Sequence, residues 1–353
     1  MRQLIYSVLG LLFLVLCGCS GGKTGSKGGT RIITDMAGRQ VEIPDSVRSV
    51  FIDRHSATLV YAFDTVMTVN VVFHYNDSEK KYLKKSFYEG KPYVIEEGSD
   101  EEIVRLKPDI ILYANDLSPQ KIDQANKLQA KLHIPVVLVD MRVNRYKEIF
   151  RFVGNLLHKQ AKAEELAEFV HHYIDSIPAV AGEIPADKRH RVYYAEGDDG
   201  LRTDPTGSVH SVLLDSIGVK NVAEVEVLSG KGMTVVSMEQ LYVWQPEIIL
   251  VWSGNFDEMS SYKAVKTSPK WKLLHAVKNN KVYQVPWRPF GWIDRPPGVN
   301  RIIGYIWLAH LMYPERFPFD MVKVAKEYFH KFYHYNLSDS EAKELLNPQP
   351  KIV

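Results

Sequence analysis

The sequence predicts an α/β protein of two lobes, each built on a mostly parallel sheet, joined by one long helix. Three observations carry this expectation. Short β-type runs alternate with helical patterns over most of the 353 residues, as βαβ units do. A helical stretch over residues 146–178, with Gly154 as its main internal breaker, separates two such series. One αβ unit also recurs in both series at a fixed offset.

The first residues read as an address rather than as fold. Arg2 supplies a positive start, and Leu4 to Leu16 carry no charge. That run is shorter than the ~20 apolar residues of a membrane-spanning helix. It ends in Leu16-Cys17-Gly18-Cys19, which resembles a bacterial lipobox. Residues 1–18 are therefore expected to be a signal peptide and Cys19 the lipidated residue, with a plain secretory signal as the rival. Residues 19–30, rich in Gly, Ser and Lys, read as a flexible tether. Gly22-Lys23-Thr24 within it is no P-loop, because Cys17 stands five residues before Gly22 and no strand precedes it.

The body follows in order. Residues 31–145 form the expected N-terminal αβ lobe. Its β-type runs are Val47 to Ile52, Thr68 to Phe73, Asp109 to Tyr113 and Pro135 to Val139. Helical patterns at Ser56 to Phe63, Glu101 to Leu106 and Gln120 to Leu132 lie between them. After the 146–178 helix, alternation resumes in a C-terminal lobe over 188–340. Its segments are Arg191 to Ala195, Ser208 to Ile217, Glu239 to Trp244, Glu247 to Trp252 and Val282 to Val285, then helices from Val299 to Met312 and Met321 to Tyr333.

The recurring unit runs from Ser99 to Leu112 and again from Ser237 to Leu250. Each copy reads as a Ser-capped helix, a Pro-acid turn and a buried strand ending Ile-Ile-Leu. Two similar lobes are the natural reading.

Composition narrows the functions. Apolar residues make up 45% and charged residues 24%, the balance of an ordinary globular chain. A net charge of +2 implies no basic face, so no nucleic-acid partner is expected. The only cysteines are Cys17 and Cys19, so the body has neither a disulfide framework nor a cysteine-ligated metal. The His-Glu-x-x-His, Gly-x-Ser-x-Gly and helix-opening Gly-x-Gly-x-x-Gly motifs are all missing. Ser208, His210 and Asp215 lie close in sequence but on no nucleophile elbow.

Four stretches together resemble the substrate-binding lipoproteins of ABC importers for iron–siderophores, haem, corrinoids and related metal compounds. They are Thr34 to Pro44, Glu101 to Leu112, Asp199 to Val222 and Arg295 to Pro314. The resemblance spans Thr34 to at least Pro314 and rests on order and spacing rather than on one motif. It implies two αβ lobes bridged by one rigid helix, a ligand cleft between them, and little hinge closure. It also implies a permease dimer with its ATPase as partner, a lipid-anchored place in the cell envelope, no cofactor and no enzymatic activity. In the vitamin B12-binding member, one surface glutamate per lobe meets permease arginines; the matching residues here are Glu101 and Glu239. A carboxylate on each lobe would give a two-point, charge-complementary dock. An exported αβ lipoprotein enzyme and a passive adhesion lipoprotein are the rival classes.

In parallel αβ sheets ligands sit at the carboxyl ends of strands. The loops there offer Arg54, Arg142, Arg202, Arg288 and Arg295 for charge-assisted bonds to an anion. Tyr75, Trp252, Trp287 and Trp292 offer packing against a flat or greasy ligand. This mixture suits an anionic iron–siderophore, and equally an oxyanion such as molybdate or tungstate; a corrinoid and haem are further alternatives. His55, His74 and His210 are candidate metal ligands. His330 and His334 share a helix face away from the expected cleft, and the adjacent His171 and His172 point apart.

Overall fold

A computed structural model of the chain describes residues 29–347, except 54–55, 66–67, 73–74, 95–98, 116, 229–231, 254–258 and 295–297. The signal peptide, Cys19 and nearly all of the tether lie outside the described residues. The tether's expected last residue, Thr30, opens strand β1 (Thr30–Thr34), which pairs antiparallel with β2 (Gln40–Pro44).

The N-terminal sheet contains β3 (Ser49–Ile52), β4 (Thr68–Val72), β5 (Tyr93–Val94), β6 (Ile110–Asn115) and β7 (Val136–Asp140) in the order β5-β4-β3-β6-β7. Every pairing is parallel. The second lobe adds β8 (Arg191–Ala195), β9 (Arg202–Thr203), β10 (Lys220–Asn221), β11 (Thr234–Val235), β12 (Ile248–Val251) and β13 (Val282–Gln284). Its main sheet is parallel in the order β10-β8-β12-β13, with β9 and β11 as a separate antiparallel pair.

Strand alternation divides the apolar side chains into layers. Val50, Val137, Val139, Val192, Tyr194, Ile248 and Leu250 face one core that runs through both lobes. Their strand neighbours Phe51, Val136 and Leu138 face a smaller outer core on the first lobe. Tyr193, Ile249 and Val251 do the same on the second. Parallel strands covered on both faces read as unbroken apolar runs, which is why β7 and β12 are conspicuous in the sequence.

The single helix expected over 146–178 is instead three pieces: Tyr146–Leu156, Gln160–Ile174 and Ile177–Gly182. The first two fold back on each other. Arg151 pairs with Glu164, Lys147 with Asp175, and Gly154 faces Ala163 so closely that a Cβ at Gly154 would lie 2.4 Å from the alanine Cβ. His158 takes a left-handed backbone (φ 55°), and the Lys159 N–H donates to the Gly154 carbonyl at 2.7 Å. Tyr146–Leu156 and Gln160–Ile174 are therefore an antiparallel pair.

The C-terminal helices close the molecule across both lobes. Met321–Tyr333, expected within the second lobe, packs on the first: the Tyr61 hydroxyl donates to the Tyr333 carbonyl, and Tyr82 meets the Phe329 ring edge-on at 5.2 Å. Tyr328 and Tyr333 both donate to Asn300 Oδ1, and Asn300 Nδ2 donates to the Phe290 carbonyl.

Candidate functional site

The two copies of the recurring unit have the same construction. In the first, the Ser99 hydroxyl accepts from the Glu102 N–H while the Glu102 carboxylate accepts from the Ser99 N–H. In the second, Ser237 and Gln240 make the same reciprocal pair. Such boxes satisfy two of the helix's orphan N–H groups. Both helices, Asp100–Leu106 and Met238–Trp244, end in a left-handed residue, Lys107 and Gln245. The acid that follows the proline then grips the neighbouring strand: Asp109 accepts from the Arg48 and Ser49 N–H groups, and Glu247 from Arg191 N–H and the His190 ring. Glu101 and Glu239 occupy equivalent exposed positions on the first turns. Its own N–H and the Ser237 hydroxyl hold the Glu239 carboxyl below the usual range.

At the carboxyl end of β7, Asp140 is fully buried. Arg142 grips it with Nε at 3.0 and 2.9 Å and Nη2 at 2.5 Å, and its N–H adds a fourth bond at 3.2 Å. Arg145 donates to the same carboxylate at 2.8 Å and also pairs with Glu148. Burial pushes the Asp140 carboxyl up, but the two guanidinium groups outweigh it and hold it below the ordinary range. The Arg142 side chain remains 57% exposed, so a fixed cation stands at the edge of the first sheet.

Arg202 is exposed on β9, its aliphatic stem against Gly197, whose left-handed backbone (φ 74°) turns the chain there. Among the described residues no ion pair holds its guanidinium. Trp252, just after β12, is half-buried against the shared core. Arg54, His55, His74 and Arg295 lie outside the described residues.

The loop after β13 gives several of the expected ligand residues partners of its own. Trp292 is fully buried, with Nε1 donating to the Arg288 carbonyl at 3.0 Å. Arg288 pairs with Glu344 at 3.2 Å and lies over the Trp287 ring. Trp292 thus ties the loop to itself, and Arg288 ties it to the helix Asp339–Leu346. The burial of Trp292 is tertiary: Gly304 leaves room for the Trp292 backbone, whose carbonyl oxygen would lie 1.7 Å from any Cβ there. Trp287 is 7% exposed, and Tyr75 is 4% exposed with its ring 6.1 Å from Phe290 of the second lobe.

His210 directs Nδ1 at the buried Asp294, 2.6 Å away, a partner that sequence proximity did not suggest. Asp215 instead accepts from Gly207 N–H and the Ser211 hydroxyl. The Ser208, His210 and Asp215 trio is therefore not a catalytic arrangement. Among the described residues no group of three or more His, Cys, Asp or Glu is placed to hold a metal ion. Of the expected ligand residues that are described, Arg142 and Arg202 are the exposed ones, while Tyr75, Trp287 and Trp292 are buried.

Residues 56–289 match the periplasmic binding protein family. The chain belongs to that family. The molybdate-binding protein MolA of Haemophilus influenzae is 26% identical over 344 residues, 88% of this chain and 93% of that protein. The Fe(3+)-citrate-binding protein YfmC of Bacillus subtilis is 26% identical over 294 residues, 79% of this chain and 87% of that one. Among solved structures, an ABC transporter solute binding protein from Sulfurospirillum deleyianum superposes with a TM-score of 0.80 at 30% identity, covering 89% of this chain and 98% of its own. The chain is thus a periplasmic binding protein of the ABC-importer type and not an enzyme, and it works at the cell envelope.

Proposed function

We propose that this periplasmic binding protein hangs from a membrane by a lipid on Cys19 and captures an anionic metal compound between its lobes. It hands that cargo to an ABC permease whose ATPase drives import. The cargo is an iron–siderophore or iron–carboxylate chelate, or an oxyanion of the molybdate kind. The observation that carries the anionic reading is Arg142, exposed yet gripped by buried Asp140 at the carboxyl end of β7. The exposed Arg202 on β9, bridged to Glu196 just after β8 of the second lobe, supports it. Relatives named for molybdate and for Fe(3+)-citrate, both anions, agree with this reading. Glu101 and Glu239 serve as the permease contacts, one per lobe, each on the first turn of a capped helix.

The test is a tryptophan fluorescence titration of the full chain in detergent against molybdate, ferric citrate, a neutral ferric hydroxamate, haem and a corrinoid. Saturable one-to-one binding of either anion is expected. Binding confined to the hydroxamate, haem or corrinoid would replace the anionic reading, and turnover of any compound would replace the binding reading.

A further inference from the structure

A buried carboxylate is stable only when it is paired and hydrogen-bonded. Asp140 is more than paired: two guanidinium groups and a backbone N–H converge on it. The two arginines are not equal. Arg145 is 28% exposed and shared with Glu148, whereas Arg142 is 57% exposed and holds Asp140 through both Nε and Nη2. A guanidinium held along one edge keeps its plane and direction fixed, and the Arg142 side chain stays 57% exposed. The net charge of Asp140, Arg142, Arg145 and Glu148 is zero, so the cluster attracts an anion weakly at a distance. Its contribution is directional.

We infer that Asp140 is a positioning residue for ligand binding: it fixes Arg142 as the anion-reading group of the first lobe, with Arg145 keeping the carboxylate satisfied when Arg142 engages cargo. The inference rests on the anionic-ligand reading above. It gives the opposite sign from a charge count. Removing a negative charge beside two arginines should tighten anion binding if only net charge counts, and should weaken it if Asp140 sets the geometry.

The experiment titrates the full chain with molybdate and with ferric citrate, and follows each variant's thermal unfolding. For whichever anion the wild type binds, Arg142→Gln should weaken binding by about 30-fold, in line with the loss of a charge-assisted bond. Asp140→Asn should weaken it about tenfold. The double variant should bind no worse than Arg142→Gln alone, because Asp140 acts through Arg142. Binding by Asp140→Asn that is unchanged or tighter, or losses that multiply in the double variant, overturns the assignment. If Asp140→Asn fails to fold, Arg142→Lys decides instead. It keeps the charge but loses the two-pronged grip, so about tenfold weaker binding is expected and unchanged binding overturns the idea. A wild type that binds neither anion overturns the anionic reading and this assignment with it. A wild type that binds one anion and whose variants bind it equally well overturns the assignment alone.

Discussion

The Ser99–Leu112 unit of the first lobe and the Ser237–Leu250 unit of the second agree where backbone groups must be satisfied and differ elsewhere. Both have the capping box, the left-handed exit and the buried proline. Around these the surfaces diverge. Asp100 pairs with Lys131 on the first helix, while the Tyr242 hydroxyl donates to the Lys270 carbonyl beside the second. Arg105 corresponds to Val243, which is 82% exposed. The comparison teaches that cap and turn chemistry is what this supersecondary unit requires, and that its outer face is free to change. Glu101 and Glu239 stay the same on that free face, and Glu101 takes no part in the cap. That is the physical case for a shared external partner.

The sharpest way to break the comparison is the double reversal Glu101→Lys with Glu239→Lys. Cargo uptake by cells carrying only this variant should fall to background while the purified protein keeps its ligand affinity. Wild-type uptake would sink the two-point dock.

Next in size is the acid after the proline, where the lobes differ. Asp109 accepts two backbone N–H groups at 2.7 and 2.8 Å, whereas Glu247 reaches its partners at 3.3 and 3.4 Å. In urea unfolding, Asp109→Ala should cost about 2 kcal/mol and Glu247→Ala under ~1 kcal/mol. Equal losses would remove the distinction.

The caps should then prove equivalent. Ser99→Ala and Ser237→Ala should each cost about 1 kcal/mol.

The smallest effect concerns a third box, Ser338 with Glu341, which also reaches Lys81 of the first lobe at 3.0 Å. The Ser338 N–H and then Lys81 pull the Glu341 carboxyl down to about 2. A lowered folded pKa stabilises above the unfolded value of about 4.5, and that contribution fades as pH falls toward 2. Glu341→Gln should flatten the acid limb of stability against pH slightly in that window. An identical acid limb would show that the pairing is screened by solvent.

Much of the fold was legible because its strands are covered on both faces. The apolar runs at Pro135 to Val139 and Glu247 to Trp252 overlap β7 and contain β12, and the Ser caps located two helix starts. β5, β9, β10 and β11 have two residues each, too few for a period to register. The break at Leu157–Lys159 was hidden because it uses His158 in a left-handed conformation in place of glycine or proline. The place of Arg142 just after a strand was legible. Asp140 was not, since an acid ending an apolar run reads as a stop signal. Trp292 looked like loop surface because its burial depends on Gly304 and on packing that only the tertiary fold supplies.

The apolar layer that faces both sheets is continuous, running from Val50 and Val139 through Phe150, Phe169 and Tyr328 to Tyr194 and Leu250. Geometrically the molecule has two lobes, but this layer cannot be divided between them without exposing its middle. The protein should therefore melt as one cooperative unit, and neither half, expressed without the other, should hold its shape.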